Sequence, residues 1–242
     1  YGPSSVLSVA DVSKPEPTSN ELLIKVHYAT VNRTDAGFRR ANYFISRFFT
    51  GLVNPKRQLW GSEFAGEVVG IGADVTEFKI GDKVFGFDDL KGTAHAEYTT
   101  FDQHGPIAAI PKGFSYKQLA AAGEGATYAL NDIQGAGITK GQNVMVYGAS
   151  GAIGSAAVQI LKDMGVRVTA VCGTKNVDLL KSLGADEVID YQTQDFTDTK
   201  QRFDLVFDSV GKTSYGASKN ILKPTGKYCS TELGFAGQNP LL

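Results

Sequence analysis

The sequence predicts a two-domain α/β protein in which a small β-barrel precedes a doubly wound parallel sheet. Three observations carry that reading. The first half consists of short apolar runs punctuated by glycines, as in a small barrel with tight turns. From about residue 115 onward strands alternate with helical stretches, which is how a parallel sheet with crossover helices is written. Finally, the run Val144-Met145-Val146-Tyr147 breaks into Gly148-Ala149-Ser150-Gly151-Ala152-Ile153-Gly154, after which apolar residues recur at 153, 156, 157, 160, 161 and 164. That is a strand, a tight turn and a helix in succession.

Taken in order, residues 21–32 alternate Ile24, Val26 and Tyr28 against Lys25 and His27, a strand with one face in the core and His27 toward solvent. Residues 60–69 form a second, glycine-rich strand region, and Ile71-Gly72-Ala73-Asp74 is a turn. Ile80-Gly81-Asp82-Lys83-Val84-Phe85-Gly86 is a turn feeding a strand, and residues 94–100 form another. A boundary near residue 116 divides a first domain, 1–115, from a second, 116–242. Residues 116–134 are alanine-rich and helical, with a break expected at Gly123-Glu124-Gly125. Strands follow at 143–147, 167–172, 187–190, 204–208 and 226–230, separated by helices at 152–164, 175–183 and 213–222. Asn176 is expected to cap the second of these helices. Both ends read as cut, because no first strand precedes Tyr1-Gly2-Pro3 and a nucleotide fold calls for a sixth parallel strand.

Composition narrows the function. With 24 Lys and Arg against 25 Asp and Glu, the chain carries no field that would gather nucleic acid or anionic lipid. No apolar run approaches the roughly 18 residues of a membrane span, and no secretory signal is read, so a cytoplasmic chain is expected. Cys172 and Cys229 lie far apart within strands and read as buried thiols. His27, His95 and His104 share no metal-ligand spacing.

The turn carries the chemistry. Small residues at 149, 151 and 154 let a ligand approach the backbone, and free N–H groups at the helix start favour an anion. Ala149-x-Gly151-x-x-Gly154 is the dinucleotide fingerprint with Ala in its first position, and the strand at 167–172 follows where the adenosine ribose should lie. Ser150 could instead be a hydrolase nucleophile on a G-x-S-x-G turn, but the second glycine is Ala152 and the last histidine is His104, upstream of it. A phosphate-contacting hydroxyl is the better reading of Ser150.

Three separated runs, Gly61-Ser62-Glu63-Phe64-Ala65-Gly66-Glu67-Val68, Gly81-Asp82-Lys83-Val84-Phe85-Gly86 and the fingerprint turn, resemble the medium-chain dehydrogenase/reductase superfamily over essentially the whole chain. The resemblance implies a GroES-like barrel joined to a Rossmann domain, with substrate held between them. Zinc alcohol dehydrogenases of this superfamily carry Cys, His and Cys where this chain has Asn32, Ser62 and Gly123, and the four clustered structural-zinc cysteines have no counterpart before Cys172. The sequence is similar instead to the zinc-free quinone oxidoreductase branch, so no metal is expected.

That branch implies hydride transfer from NADPH to a quinone or an α,β-unsaturated carbonyl, with hydrogen-bond donors in place of a Lewis acid. Similarity to 2-enoyl thioester reductases places a tyrosine eight residues past Asp35, at Tyr43. Its phenol either donates a proton or only lines the site. Asn32 would steady the nicotinamide or a substrate oxygen, or else cap a strand end. Thr127 aligns with a threonine near the nicotinamide. Ser150, Gly151, Ala152 and Ile153 would hold the pyrophosphate, Gly173, Thr174, Lys175 and Tyr191 the adenosine ribose, and Val210 a further cofactor contact.

Charge bears on the choice of cofactor. No Asp or Glu stands between Asp163 and Asp178 to take a ribose 2′-OH, whereas Lys175 can pair with a 2′-phosphate. Residues 44–60, with Phe44, Ile45, Phe48, Phe49, Leu52 and Trp60, form either a wall for a bulky apolar substrate or core beneath the barrel. Arg39, Arg40 and Arg47 could meet an acidic head group. The partners expected are a small-molecule substrate and a second copy of the chain, a homodimer, with no nucleic acid or membrane. Reduction of 2-enoyl thioesters, and a cofactor-binding sensor with little turnover, are the alternative functions.

Overall fold

The structure, a computed structural model, describes residues 1–41, 47–48, 51–56, 58–89 and 92–231. It divides into two compact units, Tyr1–Glu124 and Gly125–Leu242, and the division falls at the start of a helix.

The first unit is built on a five-stranded sheet with β1 (Glu21–Ala29), β2 (Glu63–Ile71), β3 (Lys83–Phe87), β4 (Tyr98–Asp102) and β5 (Ile107–Ala109) in the order β4-β1-β2-β3-β5. Every pairing in it is antiparallel. Its core is Leu22, Ile24, Phe64, Val68, Val84, Ala94 and Phe101, with Phe64 and Phe101 meeting edge to face at 5.1 Å. The expected alternation of β1 holds only in part. Its register slips between Leu23 and Ile24 and again between Val26 and Tyr28, and Tyr28 is 47% exposed. A slip of one residue turns a side chain to the other face. His27 is exposed, as expected, and its ring stacks on Tyr116 at 4.5 Å.

Between β1 and β2 lies helix α1 (Arg33–Arg40), and Asn32 begins it with a reciprocal capping box shared with Asp35. Helices α2 (Tyr116–Leu119) and α3 (Gly123–Ala136) follow the sheet. The expected break at 123–125 is therefore misplaced: the interruption falls at 120–122, and the two glycines open α3. Packing is the reason. A Cβ on Gly125 would stand 3.0 Å from the Ala152 backbone, so this glycine serves close approach rather than helix termination.

The second unit is a parallel sheet of β6 (Asn143–Tyr147), β7 (Arg167–Cys172), β8 (Glu187–Asp190), β9 (Phe203–Asp208) and β10 (Leu222–Ser230) in the order β10-β9-β6-β7-β8. The chain winds outward from β6 to β8 and then returns to the other side, so β6 and β9 flank a switch point. Helices α4 (Ala152–Asp163), α5 (Val177–Ser182) and α6 (Tyr215–Ser218) connect these strands. The helix spacing of α4 is realised: Ala157, Val158 and Leu161 are buried, and Ile153, Ala156, Ile160 and Met164 pack on the same core. Leu161 is 0% exposed, so Leu161→Ala should cost about 2–5 kcal/mol in chemical denaturation, through lost transfer energy plus the cavity left behind.

Cys172 and Cys229 are free and buried, and burial beside Asp132 pushes the Cys229 thiol up to about 12. Among the described residues no helix is long and apolar enough to cross a membrane.

Candidate active site

In the second unit, β6 ends at Tyr147 and the chain turns at Gly148, whose φ of +75° favours glycine. Two neighbours fix this turn. A Cβ on Gly154 would lie 2.5 Å from the Gly148 carbonyl oxygen, so only glycine lets the first turn of α4 sit against the loop. On the opposite side the Val210 methyls would meet a Cβ on Gly148 at 2.6 and 2.7 Å. Gly151 is the N-cap of α4 and supplies no side-chain cap, which leaves first-turn N–H groups of the helix available to an anion.

Val210 is placed by the loop after β9. Ser209 Oγ donates to the carbonyl oxygens of Tyr147, at 2.9 Å, and Gly148, at 3.2 Å, pinning that loop to the fingerprint turn. Asp208, wholly buried, accepts from the N–H groups of Val210 (3.1 Å), Lys212 (3.4 Å) and Thr213 (2.9 Å) and from the Tyr228 hydroxyl (3.1 Å). The sequence reading did not single out Asp208, since an acid at the end of a strand has no periodic signature.

Ser150 Oγ accepts from Asn176 Nδ2 at 3.0 Å, so its own proton can be given to a ligand. Asn176 thus differs from its expected role: it stands at the N-cap position of α5 but makes no side-chain cap, because its amide reaches across to the fingerprint turn.

After β7 the turn runs through Gly173, Thr174 and Lys175, and Thr174, Lys175 and Tyr191 are exposed. A Cβ on Gly173 would stand 3.2 Å from the Tyr191 hydroxyl. The absence of an acid from β7 and its following turn does not keep acids from this lip. Asp190 arrives from β8, in register with Cys172. Its Oδ2 accepts from Thr174 Oγ1 at 2.6 Å and its Oδ1 from the Gln192 N–H at 3.0 Å, so it is engaged by protein donors. Thr127 lies in the second turn of α3, partly buried.

The first unit holds a second polar cluster. Asn32 Oδ1 accepts from the Asp35 N–H at 2.9 Å. Its Nδ2 reaches Ser62 Oγ at 2.7 Å, Glu124 Oε2 at 2.5 Å and Glu63 Oε2 at 3.4 Å. Thr34 Oγ1 donates to Glu124 Oε1. Sequence reasoning missed Thr34, Glu63 and Glu124, which lie up to 92 positions apart from their partners. Burial pushes the Glu124 carboxyl up to about 7, opposed by the Thr34 hydrogen bond and reinforced by Asp89, Glu63 and Asp35.

Since its folded value lies above that of the unfolded chain, Glu124 favours the fold most at low pH and loses that contribution as pH rises through about 7. Glu124→Gln should therefore gain stability over the native chain as pH climbs from the acid range to neutrality, on the order of 1 kcal/mol after solvent screening. Thermal melts at acidic and alkaline pH will show it.

Where zinc dehydrogenases carry ligands, this chain presents an amide, a hydroxyl and a glycine, and the Asn32 and Ser62 groups are bonded to each other. Among the described residues no group of three or more His, Cys, Asp or Glu could hold a metal ion. This donor set does not suit zinc. Tyr43, Phe44, Ile45 and Phe49 lie outside the described residues. Of the remaining aromatic segment, Phe48 and Leu52 are more than half exposed and so are not core, while Trp60 stacks with Phe38 at 6.4 Å. Arg39 donates to the Gly2 carbonyl at 2.8 Å, and the Arg47 guanidinium lies 5.1 Å from the Tyr1 ring centroid.

A glycine-cradled helix start at the switch point of a parallel sheet defines a nucleotide-binding unit. Comparison with known proteins extends this to the chain. Residues 18–135 match the alcohol dehydrogenase GroES-like domain family, and residues 152–240 match the zinc-binding dehydrogenase family. A quinone-oxidoreductase homolog of chloroplasts from Spinacia oleracea is 31% identical over 93% of this chain and 70% of its own length. A 2-methylene-furan-3-one reductase from Solanum lycopersicum is 32% identical over 88% of this chain, which spans only 55% of that relative. The solved quinone oxidoreductase from Coxiella burnetii superposes with a TM-score of 0.85 at 32% identity, covering 95% of this chain and 72% of that one. The chain belongs to the medium-chain dehydrogenase/reductase superfamily, in its quinone-oxidoreductase-like branch.

Proposed function

We propose that the protein is an NADPH-dependent reductase that passes a hydride to a quinone or an α,β-unsaturated carbonyl without a metal ion. The observation that carries this reading is the turn after β7, where Lys175 is exposed while the acid that reaches this turn, Asp190, is engaged by Thr174 and Gln192. A lysine pairs with a 2′-phosphate, whereas an acid with free lone pairs would select the unphosphorylated ribose. The names of the Spinacia, Solanum and Coxiella relatives, two quinone oxidoreductases and an enone reductase, support the same acceptors.

When bound, the dihydronicotinamide supplies the hydride. The chain's own residues do the rest: N–H groups at the start of α4 and the Ser150 hydroxyl hold the pyrophosphate, and Val210 closes the loop beside it. Asn32 offers two amide hydrogens to three acceptors, so a substrate or nicotinamide oxygen competes with Ser62 and Glu63 for one of them. Thr127 contributes at the nicotinamide end, and Tyr43 is the proton donor to the reduced product. The protein acts as a homodimer.

The test is to mix purified protein with NADPH or NADH and a panel of quinones and 2-alkenals, and to follow the absorbance of the reduced cofactor. The expected result is turnover with higher kcat/KM for NADPH, unchanged by dialysis against a chelator. Tight NADPH binding with no turnover on any acceptor would sink the reductase reading, and light scattering decides the dimer.

A further inference from the structure

Glu124 on α3 feels the charges of three other carboxyl groups: Asp35 on α1, Glu63 on β2 and Asp89 just past β3. Two of them accept from several protein donors. Glu63 accepts from Thr30 Oγ1 at 2.6 Å, the Glu124 N–H at 2.8 Å and Asn32 Nδ2 at 3.4 Å. Asp35 accepts from the N–H groups of Asn32 and Ser62, each at 3.1 Å, and His95 Nε2 stands 3.7 Å from it. Glu124 is held instead by two side chains, the Asn32 amide and the Thr34 hydroxyl. It is half-buried, with the charges of Asp35, Glu63 and Asp89 facing it. Burial and those facing charges favour the protonated form of Glu124.

The position of that proton governs its neighbours. An ionised carboxylate only accepts, so Thr34 must then spend its hydroxyl proton on Glu124. A protonated carboxyl can donate from Oε1 to Thr34 while Oε2 still accepts from Asn32. We propose that Glu124 serves the reduction as a positioning residue acting through its proton: when protonated it turns the Thr34 hydroxyl into an outward hydrogen-bond donor while it still accepts from the Asn32 amide. This rests on the reductase reading above and deepens it, since Glu124 works through Asn32 and Thr34 rather than on the substrate.

The test pairs two measurements on the full chain. In the first, the side-chain amide of Asn32, identified by its loss in Asn32→Asp, is followed by nitrogen-15 NMR against pH in the native protein and in Glu124→Gln. In the second, kcat and KM for NADPH are measured over the same range with p-benzoquinone and trans-2-hexenal. The Asn32 signals are expected to move in the native protein with a midpoint near 7, and not in Glu124→Gln. The native kcat is expected to fall about tenfold between about pH 6 and pH 9 with little change in KM, and the profile to flatten in Glu124→Gln. An Asn32 signal that does not move, or that moves equally in Glu124→Gln, overturns the proposal, as does a flat kcat profile in an active native enzyme. Should the native protein oxidise NADPH with neither acceptor, the reductase reading fails, and with it the role in reduction, while the amide titration still shows where the proton sits. Once the Asn32 signals are assigned with Asn32→Asp, the titration needs no further variant to fold, because the native protein can then refute it.

Discussion

Gly154→Ala is expected to abolish useful cofactor binding, raising the Kd for NADPH by about a hundredfold or more. The added methyl would be built 2.5 Å from the Gly148 carbonyl oxygen and 2.7 Å from Ala149 Cα. Both contacts are with backbone, so no side chain can swing away to relieve them. Either α4 lifts from the turn or the turn opens, and in each case the first-turn N–H groups leave the positions that suit a pyrophosphate. Overpacking of this kind costs about 1–3 kcal/mol in a core that can adjust, and more where the obstacle is main chain. Isothermal titration with NADPH, together with a melt to confirm that Gly154→Ala folds, will measure the effect. Binding within a few-fold of the native protein would mean that this turn does not cradle the cofactor.

Lys175→Ala should separate the two nicotinamide cofactors. Lys175 is exposed in the turn after β7, and among the described residues no hydrogen bond or ion pair fixes its ammonium group. A lysine meeting a dianionic 2′-phosphate makes a charge-assisted contact worth about 1.5–3 kcal/mol. Losing it should raise KM for NADPH about ten- to hundredfold while leaving that for NADH nearly unchanged, since the unphosphorylated ribose offers the lysine no anion. High salt should erode the native preference in the same direction. Equal loss with both cofactors would place Lys175 in the fold rather than in recognition, and Asp190 would then be the residue to examine for NADH selection.

Much of the second unit was legible from short-range pattern. The run at 143–147, the small-residue turn and the spacing of α4 are local statements, and the structure reproduces them because each depends on neighbours within a turn or two. Val210 was legible only through family resemblance, and its physical reason came with the fold: the switch point brings the loop after β9 against Gly148. Misreadings occurred where a long-range contact outweighed a local preference. Asn176 has the residue type and position of a cap, yet its amide binds Ser150, 26 positions away. Gly123 and Gly125 have the composition of a helix break, yet both lie in the first turn of α3, and at Gly125 close packing against Ala152 favours the small residue.

By itself the amino-acid order determined the α/β class, the strand–turn–helix unit that can receive a dinucleotide, the absence of an acid on β7 and the replacement of the three zinc-ligand residue types. The first three follow from side-chain size, charge and periodicity read along the chain, and the last from its resemblance to the zinc dehydrogenases. Only the tertiary structure decided that Asn32, Thr34, Ser62, Glu63 and Glu124 form one hydrogen-bonded cluster, and that Asp190 reaches the ribose lip from the neighbouring strand. The protonation of a carboxyl depends on the charges and donors that folding brings around it, and residues some 90 positions apart along the chain carry no trace of that meeting in their spacing.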